Sequence, residues 1–258
     1  MTSDYITLDE VTKQFPRRGA SPLTVIKGLS LEIEQGSLVS ILGPSGCGKS
    51  TLLNLMNGLD DVTTGTIRVN GKTVSRKSRS NVKIGVAFQS PRLLNWRTVR
   101  DNVLIPLVIN GVPRKEAKER VERYLDLVGL AEFAGYYPLQ LSGGMQQRVS
   151  LARGLALEPD LLLADEPFSA LDEITASNLR AELVSMWQAT GRTIIFVTHN
   201  IREAVYLSSR VLIVTARPSH LHLDMPITEQ YPRDLTSDEL FTLEKKVVAE
   251  FNAMGIPA

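Results

Sequence analysis

The sequence predicts an α/β fold with a mostly parallel core sheet, an antiparallel β-subdomain and an inserted helical subdomain. Three observations carry that expectation. Short runs of β-formers bounded by Gly, Pro or polar residues alternate with longer stretches of helical period, the opening segment alternates like antiparallel strands, and a charged amphipathic stretch interrupts the strand series.

Taken in order, "DYITLDEVTKQF" and "TVIKGLSLEIEQG" read as two antiparallel strands joined by a Pro/Arg/Gly turn. "SLVSILG" ending at Gly43, "KIGVAF" ending at Phe88, "DLLLAD" ending at Asp165, "TIIFVTH" ending at His199 and "RVLIVTA" ending at Ala216 are near-continuous apolar runs, the pattern of strands covered on both faces. From Arg114 to Val128, Ala117, Val121, Tyr124, Leu125 and Val128 recur at spacings of three and four with charges between them. That is an amphipathic helix closed by Gly129. The stretch from Pro91 through Gly129 to Tyr137 is expected to be helical and to form the inserted subdomain. The tail after Pro218 is punctuated by proline and then helical from about Ser237, with no evident chemistry.

Composition narrows the function classes. The chain has 258 residues, 43% hydrophobic, with 29 basic against 28 acidic side chains, so its net charge of +1 offers no global attraction to nucleic acid or an anionic membrane. The longest apolar runs, from Val103 and from Val211, fall short of the roughly 18 to 20 residues that cross a bilayer. No secretory leader is expected from "MTSDYITLDEV", and a single cysteine agrees with a reducing compartment.

The chemistry concentrates in a few motifs. "GPSGCGKST" (Gly43, Pro44, Ser45, Gly46, Cys47, Gly48, Lys49, Ser50, Thr51) stands between a strand and a helix and fits the phosphate-loop pattern. Its glycines let the backbone turn several N–H groups toward one anion, Lys49 reaches the β- and γ-phosphates, and the Ser50 hydroxyl suits Mg²⁺. "LLLADEP" ends a strand in two carboxylates: Asp165 can hold Mg²⁺ through water, and Glu166 can polarise an attacking water. "VTHN" ends another strand in His199, whose imidazole can bond a γ-phosphate or that water. "LSGGMQQR", from Leu141 to Arg148, is a second glycine-rich helix start suited to holding an anion, in a chain that already has a phosphate loop.

Together with Gln89 in "VAFQSP" and "SALD" from Ser169 to Asp172, these motifs occur in the order and rough spacing of the nucleotide-binding subunit of an ABC transporter. The resemblance covers nearly the whole chain, and "LSGGMQQR" decides it. It implies a P-loop NTPase fold of the ABC cassette type, with ATP and Mg²⁺ as cofactors. It also implies a head-to-tail pair with a second copy or a homologous cassette, in which Ser142, Gly143 and Gly144 close over the partner's nucleotide. By the same resemblance Phe15 stacks on adenine, and Gln89 touches Mg²⁺ and water. Ser50 and Asp165 complete the metal's protein ligands, Asp172 meets the opposite protomer, and His199 senses the γ-phosphate. Asn200 stands where this family usually has Asp.

The implied organisation is a single domain over 1–258: 1–90 and 158–217 form the β-subdomain and α/β core, 91–157 the helical subdomain with the signature, and 218–258 a tail. "QSPRLLNWRTVRDNV", with Leu93, Leu94 and Trp96, is similar to the part of importer cassettes that receives a helix of the membrane subunit. "LLNWRTVRDNV" and the tail "VLIVTARPSHLHLDMPI" are similar to the importer branch for nitrate, sulfonates, taurine and related small solutes. The implied function is to power such import as a peripheral subunit on the cytoplasmic face of the inner membrane. Its partners are integral permease subunits and, indirectly, an external solute-binding protein, with no nucleic acid. The main alternative is a soluble ABC-type ATPase acting on nucleic acid or ribosomes.

Overall fold

The structure is a computed structural model and describes residues 4–78, 82–234 and 236–255, so the first three residues of the segment read for a leader lie outside it. In chain order the elements are β1 (Asp4–Arg17), β2 (Ala20–Glu34), β3 (Leu38–Leu42), α1 (Lys49–Met56), β4 (Thr64–Val69), β5 (Lys72–Thr73) and β6 (Ile84–Ala87). Then come α2 (Val99–Ile109), α3 (Arg114–Leu127), α4 (Gly143–Ala156), β7 (Leu161–Asp165) and α5 (Glu173–Thr190). The last are β8 (Thr193–Thr198), α6 (Ile201–Leu207), β9 (Arg210–Val214), β10 (Leu221–Pro226) and α7 (Asp238–Ala253).

Two compact units result, one drawn from Met1–Asn81 with Thr193–Ala258 and the other Val82–Arg192. In the first, β2-β1-β4-β5 form an antiparallel sheet, as the alternating opening segment predicts. A second sheet layer has β3 flanked by β8 and β9, both parallel to it, with β10 antiparallel on β9. Every residue of β3 and β8 is buried, which is why both read as unbroken apolar runs. The tail is part of this core. Leu240, Val247 and Phe251 of α7 pack with Ala204 and Val205 of α6 against Leu42, Val211 and Ile213.

The second unit pairs β6 parallel to β7 and carries α2, α3, α4 and α5, so it includes the expected helical segment 91–157. Helix does not begin at Pro91, however. Arg92 sits at φ +47°, a left-handed conformation no helix continues through, and α2 starts only at Val99, where Thr98 Oγ1 accepts from the Asp101 N–H at 3.1 Å. Beyond α3, only short 3₁₀ turns at Ala131–Phe133 and Pro138–Gln140 precede the signature. Gly85 explains how closely β6 lies to α4: a Cβ there would meet the Gly154 carbonyl at 2.6 Å.

Candidate nucleotide-binding and catalytic site

In the first unit, β3 ends at Leu42 and the chain turns through Gly43–Gly48 into α1. Two glycines are compelled by this chain's own packing. A Cβ on Gly43 would meet Val214 at 2.7 Å, and one on Gly48, at φ +118°, would meet Val25 at 2.6 Å. The loop is thereby pressed onto the sheet, and the first N–H groups of α1 lack intrahelical acceptors, which is the positive end an anion seeks. Lys49 is buried, and its Nζ donates to the carbonyls of Gly43 at 2.6 Å and Pro44 at 3.0 Å. Ser45, Gly46 and Ser50 are exposed at the mouth, and Pro44 and Thr51 are half-buried.

Cys47 points the other way. Its thiol is buried beside Gly43, burial pushes its pKa up against the opposing pull of Lys49, and its N–H donates to the Pro44 carbonyl at 3.3 Å. Sequence reasoning passed over Arg217, whose Nε donates to the Gly46 carbonyl. No motif marks it, because it reaches the loop from the far end of the chain after β9.

At the C-terminal end of β8, the same edge of the layer as the phosphate loop, His199 is exposed. Its neighbours are fixed. Thr198 Oγ1 donates to the buried Glu203 at 2.5 Å and accepts from the Asn200 N–H at 3.0 Å, while Asn200 Oδ1 accepts from the Glu203 N–H at 3.0 Å. Asn200 thus caps α6, a task Asp would perform equally well. The far end of α6 is held by the buried Arg233, whose Nη1 donates to the carbonyls of Val205 at 2.8 Å and Ser208 at 2.7 Å. Phe15, on β1, is half-buried with the Lys13 ammonium 4.9 Å from its ring centre.

In the second unit, β7 ends at the buried Asp165, and Glu166 follows at φ +46°, a left-handed conformation that costs a non-glycine residue about 1 kcal/mol or more. The turn is tied off by Ser169, whose Oγ donates to the Glu166 carbonyl at 3.0 Å. Gln89, just past β6, donates from Nε2 to Glu166 Oε2 at 3.2 Å, so two of the predicted catalytic residues are brought into contact. Gln147 of α4 donates to the Phe88 carbonyl at 3.2 Å and so ties the signature helix to the residue before Gln89.

The signature itself starts α4. Ser142 Oγ caps the helix by accepting from the Met145 N–H at 3.3 Å. A Cβ on Gly144 would meet the Ala170 carbonyl at 2.8 Å, so this glycine lets "SALD" lie against the helix start, whereas a Cβ on Gly143 would meet nothing within 4 Å. Asp172 caps α5 at the other end of that loop. The Thr175 N–H at 3.0 Å holds its carboxyl below the ordinary Asp value.

The protein-family comparison matches the ABC transporter family over residues 26–169, more than half of the chain. The chain belongs to that family. An ABC transporter ATP-binding protein of Methanocaldococcus jannaschii, MJ0412, is 42% identical over 94% of this cassette and 90% of its own length. The aliphatic sulfonates import ATP-binding protein SsuB of Bacillus subtilis is 38% identical, over 95% and 94%. A bicarbonate transport ATP-binding protein, CmpC of Synechococcus elongatus, is 41% identical over 86% of the cassette but only 34% of its own length. Among solved structures, the dimeric post-hydrolysis state of the ATP-binding cassette MJ0796 bound to ADP and Pi superposes with a TM-score of 0.79 at 32% identity, covering 87% of this cassette and 100% of that chain.

Proposed function

We propose that this cassette hydrolyses ATP as one half of a cassette pair and so powers import of a small solute through a membrane permease. The observation that carries the pairing is Gly143. A Cβ there would meet nothing within 4 Å among the described residues, so the open side of α4's first turn suits a ligand from outside, the γ-phosphate of a nucleotide held by a second cassette. The dimeric MJ0796 structures and the import proteins SsuB and CmpC support this reading.

The roles follow residue by residue. The loop Gly43–Thr51 binds the phosphates, with Lys49 exchanging the carbonyls it now holds for β- and γ-phosphate oxygens. Phe15 presents one ring face to adenine while Lys13 covers the other. Glu166, fixed by Gln89, orients and polarises the attacking water, help typically worth about 10² to 10⁴-fold in rate. His199, on a turn pinned at Thr198 and Asn200, bonds the γ-phosphate. Asp172 meets the partner cassette. The oxygen donors Ser50, Gln89 and Asp165 are hard ligands that fit Mg²⁺, an ion commonly bound by one or two carboxylates plus substrate phosphates. When bound, it neutralises phosphate charge.

No helix among the described residues is long and apolar enough to cross a membrane. The loop 91–98 is built to present a surface. Asn102 donates to the carbonyls of Leu94, Arg97 and Thr98, Arg153 donates to those of Pro91 and Arg92, and Trp96 stands 72% exposed beside the half-buried Leu93 and Leu94. We assign it to a permease helix, which places the cassette on the cytoplasmic face of the membrane, with an external binding protein delivering the solute. The solute we assign is of the class expected from the sequence, nitrate, a sulfonate, taurine or a similar small solute, and the sulfonate importer SsuB and the bicarbonate protein CmpC support it. Purifying the tagged chain from native membranes in mild detergent tests this, with an integral membrane subunit expected to co-purify. Recovery of nucleic-acid or ribosomal partners alone would refute the importer reading and leave the ATPase standing.

A further inference from the structure

The first unit contains a cleft of about 560 Å³ that the nucleotide chemistry does not use. Small-molecule pockets run from about 300 to 1,000 Å³. Its lining joins Lys27, Arg217, His220 and His222 to the apolar Pro218 and Met254. Among the described residues, the Lys27 ammonium has no hydrogen-bond or ion-pair partner, and the Arg217 guanidinium has no carboxylate partner. Thr215 Oγ1 lies 3.1 Å from both the Ala216 carbonyl and His220 Nδ1 and accepts from the His220 N–H, so this end of the cleft is held by a polar turn. Among the described residues the one carboxylate bonded to a lining side chain is Glu250, 3.0 Å from His222 Nε2. Two uncompensated cations beside an apolar wall describe a receptor for an anion with a short hydrocarbon body.

Arg217 links this cleft to the phosphate loop, because its Nε holds the Gly46 carbonyl and its positive field reaches Cys47. We infer that the cleft is an effector site for a small organic oxyanion, a phosphonate or a carboxylate with a short apolar chain, and that its occupancy weakens ATP binding through Arg217. An anion on the guanidinium's free nitrogens spends the charge that otherwise helps the loop attract a triphosphate. Linkage then requires ATP to weaken the anion by the same factor. The coupling, though not the cleft, rests on Gly43–Thr51 being the ATP site.

Isothermal titration of the full chain with inorganic phosphate and with propylphosphonate tests the proposal. Propylphosphonate is expected to bind more tightly by about fourfold for each methylene that packs on Met254 and Pro218. Lys27→Gln weakens it about tenfold, Lys49→Ala leaves it unchanged, and saturation with it weakens ATP binding by about fivefold. In Arg217→Gln that effect on ATP disappears. Silence with both anions overturns the site, as does binding that survives Lys27→Gln and vanishes in Lys49→Ala, since the phosphate loop would then be the receptor. An unchanged effect on ATP in Arg217→Gln overturns the coupling. A wild-type chain that binds no ATP refutes the nucleotide reading instead, and the propylphosphonate titrations still decide the cleft.

Discussion

The cassette has two glycine-rich helix starts, Gly43–Lys49 and Ser142–Gly144, and they are built on different terms. In the phosphate loop the glycines answer to the chain itself, since Gly43 and Gly48 admit Val214 and Val25, and Lys49 is tucked onto the loop's own carbonyls. In the signature, Gly144 answers to the Ala170 carbonyl and Gly143 to nothing among the described residues. On the proposed pairing, the loop that serves its own ligand is shaped by its own core, whereas Gly143 faces the ligand of a second cassette and meets no neighbour of its own.

That contrast can be broken or sharpened by substitution. The largest effect is expected from Glu166→Gln, which should lower ATP turnover by about 10² to 10⁴-fold while ATP still binds and locks a dimer. A monomer by light scattering at saturating ATP would contradict the paired-site reading. Lys49→Ala should weaken ATP binding about tenfold or more through loss of a charge-assisted phosphate contact, measured by fluorescent-nucleotide titration. The glycines give the sharpest pair. Gly144→Ala should cost about 1 to 3 kcal/mol in urea unfolding, because the Ala170 carbonyl is backbone and cannot turn aside. Gly143→Ala should leave stability unchanged or up to about 1 kcal/mol higher, yet remove ATP-driven dimerisation and turnover. Full activity in Gly143→Ala would erase the distinction.

The smallest effect separates two helix caps by pH. Asp172 has a carboxyl pKa below its ordinary value, so its cap on α5 is fully present above the unfolded-state Asp pKa and is lost as pH falls through the depressed folded value. Asn200, capping α6, does not titrate. Amide protection in the first turn of α5, taken relative to the intrinsic exchange rate at each pH, should therefore fall on acidification to below the ordinary Asp pKa, and Asn200→Asp should make the first turn of α6 more acid-sensitive than it is in the wild type. Equal behaviour of the two wild-type helices would show that the caps do not govern their ends.

Much of this was legible because burial on both faces writes an unbroken apolar run. β3, β7, β8 and β9 are such runs, and the first three lead into Gly43, Glu166 and His199. Thr64–Val69 alternates Thr and Arg with apolar residues, so β4 shows no such run, although Asn70 and Gly71, both at positive φ, form the hairpin turn into β5. The 91–98 loop was hidden for the opposite reason: it is as apolar as a helix, and only Asn102 and Arg153, acting from other elements, hold it open. Motif positions marked Gln89, Glu166, Ser142 and Asp172, while the bond between the first two and the helix caps made by the last two emerged only from the structure. Arg217 and Arg233 did not, because each works on a carbonyl distant in sequence, and no periodicity records such a contact.

Arg233 gives the tail a meaning beyond packing. Its guanidinium holds the end of the short helix that begins just after His199, so a stretch of sequence with no motif underwrites the turn bearing a proposed switch. A premature stop codon ahead of Arg233 would leave every recognisable motif intact in the gene and still silence the pump.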